Sequence, residues 1–194
     1  ILFMEFKDSE TRINLMRSFA GESQARTRYA IAAETARKEK LYIIEEIFNY
    51  TAKQELAHAS RFMKALKDFK GEEIEIDAAY PVSKFDTTLE ELQHAKEGEF
   101  HEHDEVYKSF AETAKIEGFD AIAKLFNDIA SIEKVHGTRF AEYEKDLREG
   151  TLFKKNTSVT WMCTNCGFIL EGTDAPLVCP VCLHEQGYFK VLQQ

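Results

Sequence analysis

A shift of 78 residues lays one half of the first 150 residues of this chain on the other. Tyr29 meets Tyr107, the "AETA" at 33–36 meets the "AETA" at 111–114, and Ile44 meets Ile122. Phe48-Asn49 meets Phe126-Asn127, Glu55 meets Glu133, His58 meets His136, and Arg61-Phe62 meets Arg139-Phe140. An internal repeat of two helical segments restricts the fold to paired helical hairpins related by a pseudo-twofold axis. Any site on that axis is built twice from equivalent residues.

The apolar positions recur in steps of three and four over about Asp8–Lys40, Tyr42–Phe69, Thr87–Gly118 and Asp120–Arg148, which predicts four helices. "TTLEE" offers a capping box at the start of the third, and Gly118 and Gly150 offer stops to the third and fourth. Helices of ~30 residues are ~45 Å long at 1.5 Å per residue. The non-periodic segment 70–86, which contains Pro81, reaches ~55 Å if extended at ~3.3 Å per residue. It is long enough to run the length of a bundle, so the second and third helices can lie parallel. This is the ferritin-like four-helix topology with one long crossover.

The same stripes carry charge. Glu22 lies on the first, with Leu15, Phe19 and Tyr29; Glu55 and His58 lie on the second; Glu99 and Glu102 on the third; Glu133 and His136 on the fourth. A single E-x-x-H in a helix is usually a solvated pair. Two at equivalent repeat positions, with inward carboxylates on both other helices, are not explained that way. Five carboxylates and two imidazoles in an apolar core require cations. Oxygen-rich ligation with two histidines suits iron or manganese, and a Glu from each of two helices plus two Glu-x-x-His motifs is the pattern of di-iron carboxylate bundles.

Glu22 precedes Tyr29 by seven residues, whereas Glu99 precedes Tyr107 by eight. The extra residue predicts a π-bulge between Glu99 and Tyr107 that turns both Glu99 and Glu102 toward the core. His101 and His103 are expected off the site, and His94 and His184 at the surface. Tyr29 and Tyr107 are expected to hydrogen-bond the ligating carboxylates.

From about residue 150 the composition changes. All four cysteines fall in the last 32 residues, as Cys163-x2-Cys166 and Cys179-x2-Cys182. This is metal-site spacing rather than a disulfide framework, and it fits a reducing compartment. Zinc ribbons share the spacing, so the metal is either zinc or iron; attachment to a redox-type bundle favours one iron. Trp161, Phe168, Tyr188 and Phe189 are the expected core of this module. The domains are therefore expected as 1–152, the bundle, and 153–194, the four-cysteine module.

The net charge of −9 argues against nucleic acid. No apolar run approaches the ~20 residues of a membrane span, and no leader pattern opens the chain, so a cytoplasmic location is expected. Met4 reads as a start, with residues 1–3 ahead of it. No G-x-G-x-x-G occurs, so nicotinamide is not expected to bind directly.

With both modules in view, the chain resembles the rubrerythrin family from about Ser9 to Leu192. The resemblance is carried by "SFAGESQARTRY", Glu55-x-x-His58, "GEFHE", Glu133-x-x-His136, "CTNCG" and "CPVC". It implies that Glu55 and Glu133 bridge two irons, that Glu22 is terminal on one, and that Glu99 and His136 are on the other. His58 and Glu102 would be the alternative ligands between which the first iron shifts with oxidation state. Cys163, Cys166, Cys179 and Cys182 would hold one further iron. The implied activity is reduction of hydrogen peroxide to water, with electrons from a rubredoxin or an NAD(P)H-linked reductase entering through the four-cysteine iron. A homodimer or higher homo-oligomer is implied, in which the module of one subunit serves the bundle of its partner. "GEF", with Phe100 after Glu99 where some relatives have a polar residue, is a departure that touches no ligand. Ferroxidase or iron storage, a di-iron oxygenase or manganese catalase, and a zinc-stapled adaptor are the rival readings; the cysteine module counts against the ferroxidase and the catalase, an oxygenase needs a substrate cavity, and the colour of the protein separates the adaptor.

Overall fold

A computed structural model describes residues 4–192; residues 1–3, which bear on the expected start at Met4, lie outside it. Helix α1 spans Glu10–Lys38 and α2 spans Tyr42–Ala65. The third helical run comprises α3 (Thr88–His101), a π turn (Glu102–Val106) and α4 (Tyr107–Ile116); α5 spans Asp120–Glu149. The side chain of Ser9 caps α1 by accepting from the Arg12 N–H. Thr87 and Glu90 form the expected capping box at α3. Gly118 and Gly150 terminate their helices with positive φ of 89° and 69°, a region where glycine carries no Cβ penalty. The second helix ends at Ala65 rather than Phe69. Lys67–Phe69 tightens into a 3-10 turn that brings the Phe69 ring against Phe6, centroids 5.6 Å apart.

The helices pair as two hairpins, α1 with α2 and α3–α4 with α5. The crossover is tied along α1: Asp77 pairs with Arg17 at 2.5 Å, and Ser83 accepts from Arg28 at 3.4 Å. At its end the Phe85 N–H donates to the buried Glu91 at 3.1 Å. The core obeys the repeat. On one side of the bundle centre Tyr29 packs on Phe48 and Phe140; on the other Tyr107 packs on Phe126 and Phe62. All four phenylalanines are fully buried, each contributing about 1.5–3 kcal/mol by transfer from water. The ring of Phe100 lies over Gly137 of α5, where a Cβ would come within 2.9 Å. The departure at Phe100 is thus matched by a glycine opposite.

After α5 comes a three-stranded sheet. β1 (Lys154–Cys163) is central, flanked antiparallel by β2 (Ile169–Asp174) and β3 (Phe189–Val191). Trp161 is fully buried beneath it, and its indole donates to the Gly172 carbonyl at 3.1 Å. Phe189 joins it in the core, with Phe168 and Tyr188 packed against them. The sheet module is seated on the α1–α2 turn. Glu185 accepts from Lys40 at 2.5 Å and from the Tyr42 hydroxyl at 3.0 Å, and Tyr188 stacks on Tyr42 with centroids 4.2 Å apart. No helix among the described residues is long and apolar enough to cross a membrane.

Candidate metal centres

Six of the seven inward-facing bundle residues converge at the centre of the bundle. Glu22 comes from α1, Glu55 and His58 from α2, Glu99 from α3, and Glu133 and His136 from α5. All are buried. Their donor atoms form two overlapping groups, Glu22–Glu55–His58–Glu133 and Glu55–Glu99–Glu133–His136. Within each, the atoms lie no more than 4.8 Å apart.

The two groups share their carboxylates in a specific way. Glu55 sends Oε2 to within 3.1 Å of His58 Nδ1 and Oε1 to within 3.0 Å of His136 Nδ1. Glu133 sends Oε1 to within 2.9 Å of His58 Nδ1 and Oε2 to within 2.9 Å of His136 Nδ1. Glu22 lies 3.5 Å from His58 and Glu99 lies 3.5 Å from His136. Each half therefore has one private carboxylate and one imidazole, and both halves share Glu55 and Glu133.

These close approaches are mostly not hydrogen bonds. Glu22 Oε2, Glu55 Oε1, Glu99 Oε2, both oxygens of Glu133 and both ring nitrogens of His136 are buried without a hydrogen-bond partner. Seven such atoms in one place would be prohibitive in a metal-free design. Atoms that surround a common point, rather than point at one another, are what two adjacent cations with ~2 Å ligand distances require. The residues present fit a metal pair.

The electrostatics agree. Burial raises the Glu22 carboxyl well above the usual range, and raises Glu99 to about 8, although a nearby histidine opposes both. Burial acts the same way on Glu55, but there the facing His136 and His58 rings win and hold it down at about 2. Burial alone would deprotonate both imidazoles. Contact with Glu133, Glu22 and Glu55 instead raises His58 strongly, and contact with Glu133, Glu55 and Glu99 raises His136 to about 11. Without metal, the imidazolium ions are the cations of the cluster.

The expected tyrosine contacts are present and crossed between repeats: Tyr29 donates to Glu99 Oε1, and Tyr107 donates to Glu22 Oε1. Burial, reinforced by the carboxylate charges, raises both phenols and keeps them as donors. The π turn lies at Glu102–Val106, inside the interval expected from the spacing. Glu102 itself stands outside both groups of donor atoms. It begins the π turn, faces a cavity beneath the crossover, and has its carboxyl raised by burial and by the charge of Glu99 and Glu22. His101 is exposed, and His103 Nδ1 lies 2.8 Å from the Ala130 carbonyl, so neither joins the cluster. His94 stacks on Phe85 at the surface, and His184 lies exposed against the edge of Tyr188.

In the sheet module the four sulfurs lie within 4.8 Å of one another, with Cys163–Cys182 and Cys166–Cys179 both at 3.7 Å. A tetrahedron with metal–sulfur bonds of ~2.3 Å has edges of ~3.8 Å. Each Cys-x2-Cys loop closes on a left-handed residue, Gly167 (φ 79°) and Leu183 (φ 62°). Their N–H groups donate back to Cys163 at 2.8 Å and Cys179 at 3.0 Å. Partial burial opposes ionisation of Cys182, but bonds from the His184 backbone and Asn165 bring its thiol down to about 6.

Sequence models agree with both halves of this geometry. The family described as Rubrerythrin matches residues 14–144, and the rubrerythrin rubredoxin-like domain matches residues 161–190. The chain belongs to the rubrerythrin family. It is 51% identical to the rubrerythrin of Clostridium perfringens over 97% of both chains, and 41% identical to that of Nitratidesulfovibrio vulgaris over 96% of both. Among solved structures, fully reduced nigerythrin matches with a TM-score of 0.63 at 25% identity, covering 99% of this chain and 94% of that one. A bacterioferritin of Desulfovibrio desulfuricans matches the fold alone, with a TM-score of 0.65 at 18% identity over 72% of this chain and 81% of its own. As a rubrerythrin, the chain carries a di-iron ferritin-like site at the Glu/His cluster and a rubredoxin-like iron site at the four cysteines.

Charge and spacing in the sequence carry no functional signal for two features. Tyr80 and Arg17 frame the cavity that Glu102 faces. Gly187 abuts the α1–α2 turn. Mid-helix glycines at Gly21 and Gly98 were a usable signal for the first.

Proposed function

We propose that the chain is a non-haem di-iron peroxidase that reduces hydrogen peroxide to water, with electrons relayed through its rubredoxin-like iron. The observation that carries this reading is the sharing of Glu55 and Glu133, one oxygen each to both histidine sides. It supports two adjacent metals, with Glu22 and His58 on one and Glu99 and His136 on the other. When bound, the metal pair supplies two electrons and a two-point electrostatic clamp for the oxygens of the substrate. The balance is one peroxide, two electrons and two protons to two waters.

The chain's own residues fix the geometry. Tyr29 and Tyr107 orient Glu99 and Glu22 through their phenol hydrogens. The aromatic layers above and below, Phe48 with Phe140 and Phe62 with Phe126, exclude water. Glu102 lines the cavity beside the cluster, and would be the exchangeable carboxylate of the site.

In this reading residues 1–152 form the catalytic bundle and 153–194 the electron inlet. The inlet presents Leu177, Val178, Val181 and Leu183 to solvent around exposed Cys166, while α2 and α5 expose Leu56, Met63, Ile132 and Val135. Two apolar patches of this kind support a homodimer or higher homo-oligomer. In it the module of one subunit faces the bundle of another. Rubredoxin or an NAD(P)H-linked reductase is the proposed donor, and the cytoplasm the proposed location. A ferroxidase would share the bundle but would have no use for the inlet. The test is steady-state turnover of the iron-loaded protein with reduced rubredoxin: peroxide-dependent donor oxidation supports the reading, and its absence overturns it.

A further inference from the structure

The groove between α1 and the α3–α4 run is bridged by the crossover rather than filled by side chains. Beneath residues 77–83 lies a cavity of about 410 Å³. Ala79 and Tyr80 roof it, Gly21 and Gly98 face it from α1 and α3, and Glu102 and Tyr107 line it on the side of the cluster. Tyr107 is the residue that donates to Glu22, so the cavity ends against the cluster.

The two glycines are the informative part. Glycine inside a helix is unfavourable relative to alanine. Elsewhere in the bundle its use has a reason: Gly118 and Gly150 adopt positive φ, and Gly137 lies under Phe100. Gly21 and Gly98 have neither positive φ nor close packing, and a Cβ added at either would meet nothing within 4 Å. Each immediately precedes a cluster carboxylate, Glu22 or Glu99, in the two halves of the repeat. What they have in common is the open space of the cavity. Tyr80 closes over it, its hydroxyl 3.5 Å from the Arg17 carbonyl on α1, and Arg17 is pinned to Asp77 of the same roof.

We propose that this cavity is the path by which peroxide reaches the Glu/His cluster, that Gly21 and Gly98 keep it open, and that Tyr80 limits the size of what passes. The proposal rests on the peroxidase reading for the identity of the substrate, but not for the existence of the path. Alanine, glycine and proline share the lining with charged groups of both signs, among them Arg17, Arg28, Glu97 and Glu102, which suits a small polar molecule. The Glu102 carboxylate at the inner end can accept its hydrogen bond. The two waters produced leave by the same path.

The test uses the full iron-loaded protein and the Gly21→Leu, Gly98→Leu and Ala79→Trp variants. The first readout is the rate at which azide binds the oxidised protein, followed by absorbance. The expected result is an azide on-rate about tenfold or more slower in each variant, with iron content and final spectrum unchanged. Tyr80→Ala is expected to raise the rate with tert-butyl hydroperoxide relative to hydrogen peroxide. Unchanged azide on-rates in folded, iron-loaded Gly21→Leu and Ala79→Trp overturn the path, and an unchanged rate ratio in Tyr80→Ala overturns the size limit. If the unaltered protein reduces no peroxide while the variants still slow azide, the path stands and the peroxidase reading falls.

Discussion

Tyr29 on α1 donates its phenol hydrogen to Glu99 on α3, 70 residues away, and the repeat returns the bond in mirror form from Tyr107 to Glu22. Each half of the bundle thus orients a cluster carboxylate belonging to the other half. Tyr29→Phe removes the donor and leaves a buried carboxylate oxygen without it, at a cost of about 1–3 kcal/mol in the metal-free protein. Metal affinity is expected to fall ~10–100-fold, as for other residues that orient metal ligands. Chelator competition on Tyr29→Phe, Tyr107→Phe and the double variant measures this; losses matched between the two single variants are expected from the symmetry.

The metal-free protein is expected to lose stability as pH rises. His136 is raised to about 11 in the fold against ~6.5 unfolded, so its contribution is complete below ~6.5 and is lost as pH climbs toward 11. Glu99 is raised to about 8, so ionising it in the core is an increasing cost between ~4.3 and 8. Glu55, held down at about 2, works the other way, but only as pH falls through that value. The melting temperature of the metal-free protein should therefore drop between about pH 6 and 9. Metal loading should release protons and remove the drop, since the cations replace the imidazolium charges. Melting curves with and without metal, with proton release followed on loading, check both parts.

Gly187 is expected to tolerate no side chain while the module stays seated. A Cβ there would come within 1.8 Å of the Lys40 carbonyl oxygen and 3.0 Å of the Tyr42 ring. Gly187→Ala should unseat the module from the α1–α2 turn and break the Tyr42–Tyr188 stack, while leaving the four cysteine sulfurs to bind iron. Limited proteolysis near residue 150 should accelerate, with the iron–thiolate spectrum unchanged.

Gly21→Ala and Gly98→Ala are expected to stabilise the bundle by about 1 kcal/mol each, because helix propensity improves and the added methyl meets no atom. Thermal melts of the two variants measure it. A gain in stability would show that neither helix propensity nor packing requires glycine at these positions.

Much of this architecture was legible because it is repeated. The 78-residue offset pairs Glu55 with Glu133 and His58 with His136, and its slip to 77 between Glu22 and Glu99 places a π-bulge between Glu99 and Tyr107, where the structure forms it over Glu102–Val106. The final orientation of Glu102 was not legible, since it depends on how the π turn that Glu102 begins aims its side chain. The end of α2 lies four residues before the end of its apolar rhythm, because Phe69 continues that rhythm from a 3-10 turn. The seating of the module was invisible: Lys40 and Glu185 are 145 residues apart, and their contact leaves no periodic trace. Tyr80 sits in a segment with no periodicity, and its place over the cavity follows from long-range contacts of the crossover with α1, the Asp77–Arg17 and Ser83–Arg28 pairs among them.

The wiring from cysteine iron to bundle is the central claim, and stopped-flow absorbance of the anaerobically reduced, iron-loaded protein tests it most directly. On mixing with hydrogen peroxide, the visible iron–thiolate bands of the Cys163–Cys166–Cys179–Cys182 site should return rapidly, and more slowly with dioxygen. In Cys166→Ser the prereduced bundle should still consume one peroxide, while multiple turnovers with an external donor stop. Slow return with both oxidants, or unimpaired multiple turnover in Cys166→Ser, would contradict a peroxidase fed through the cysteine iron.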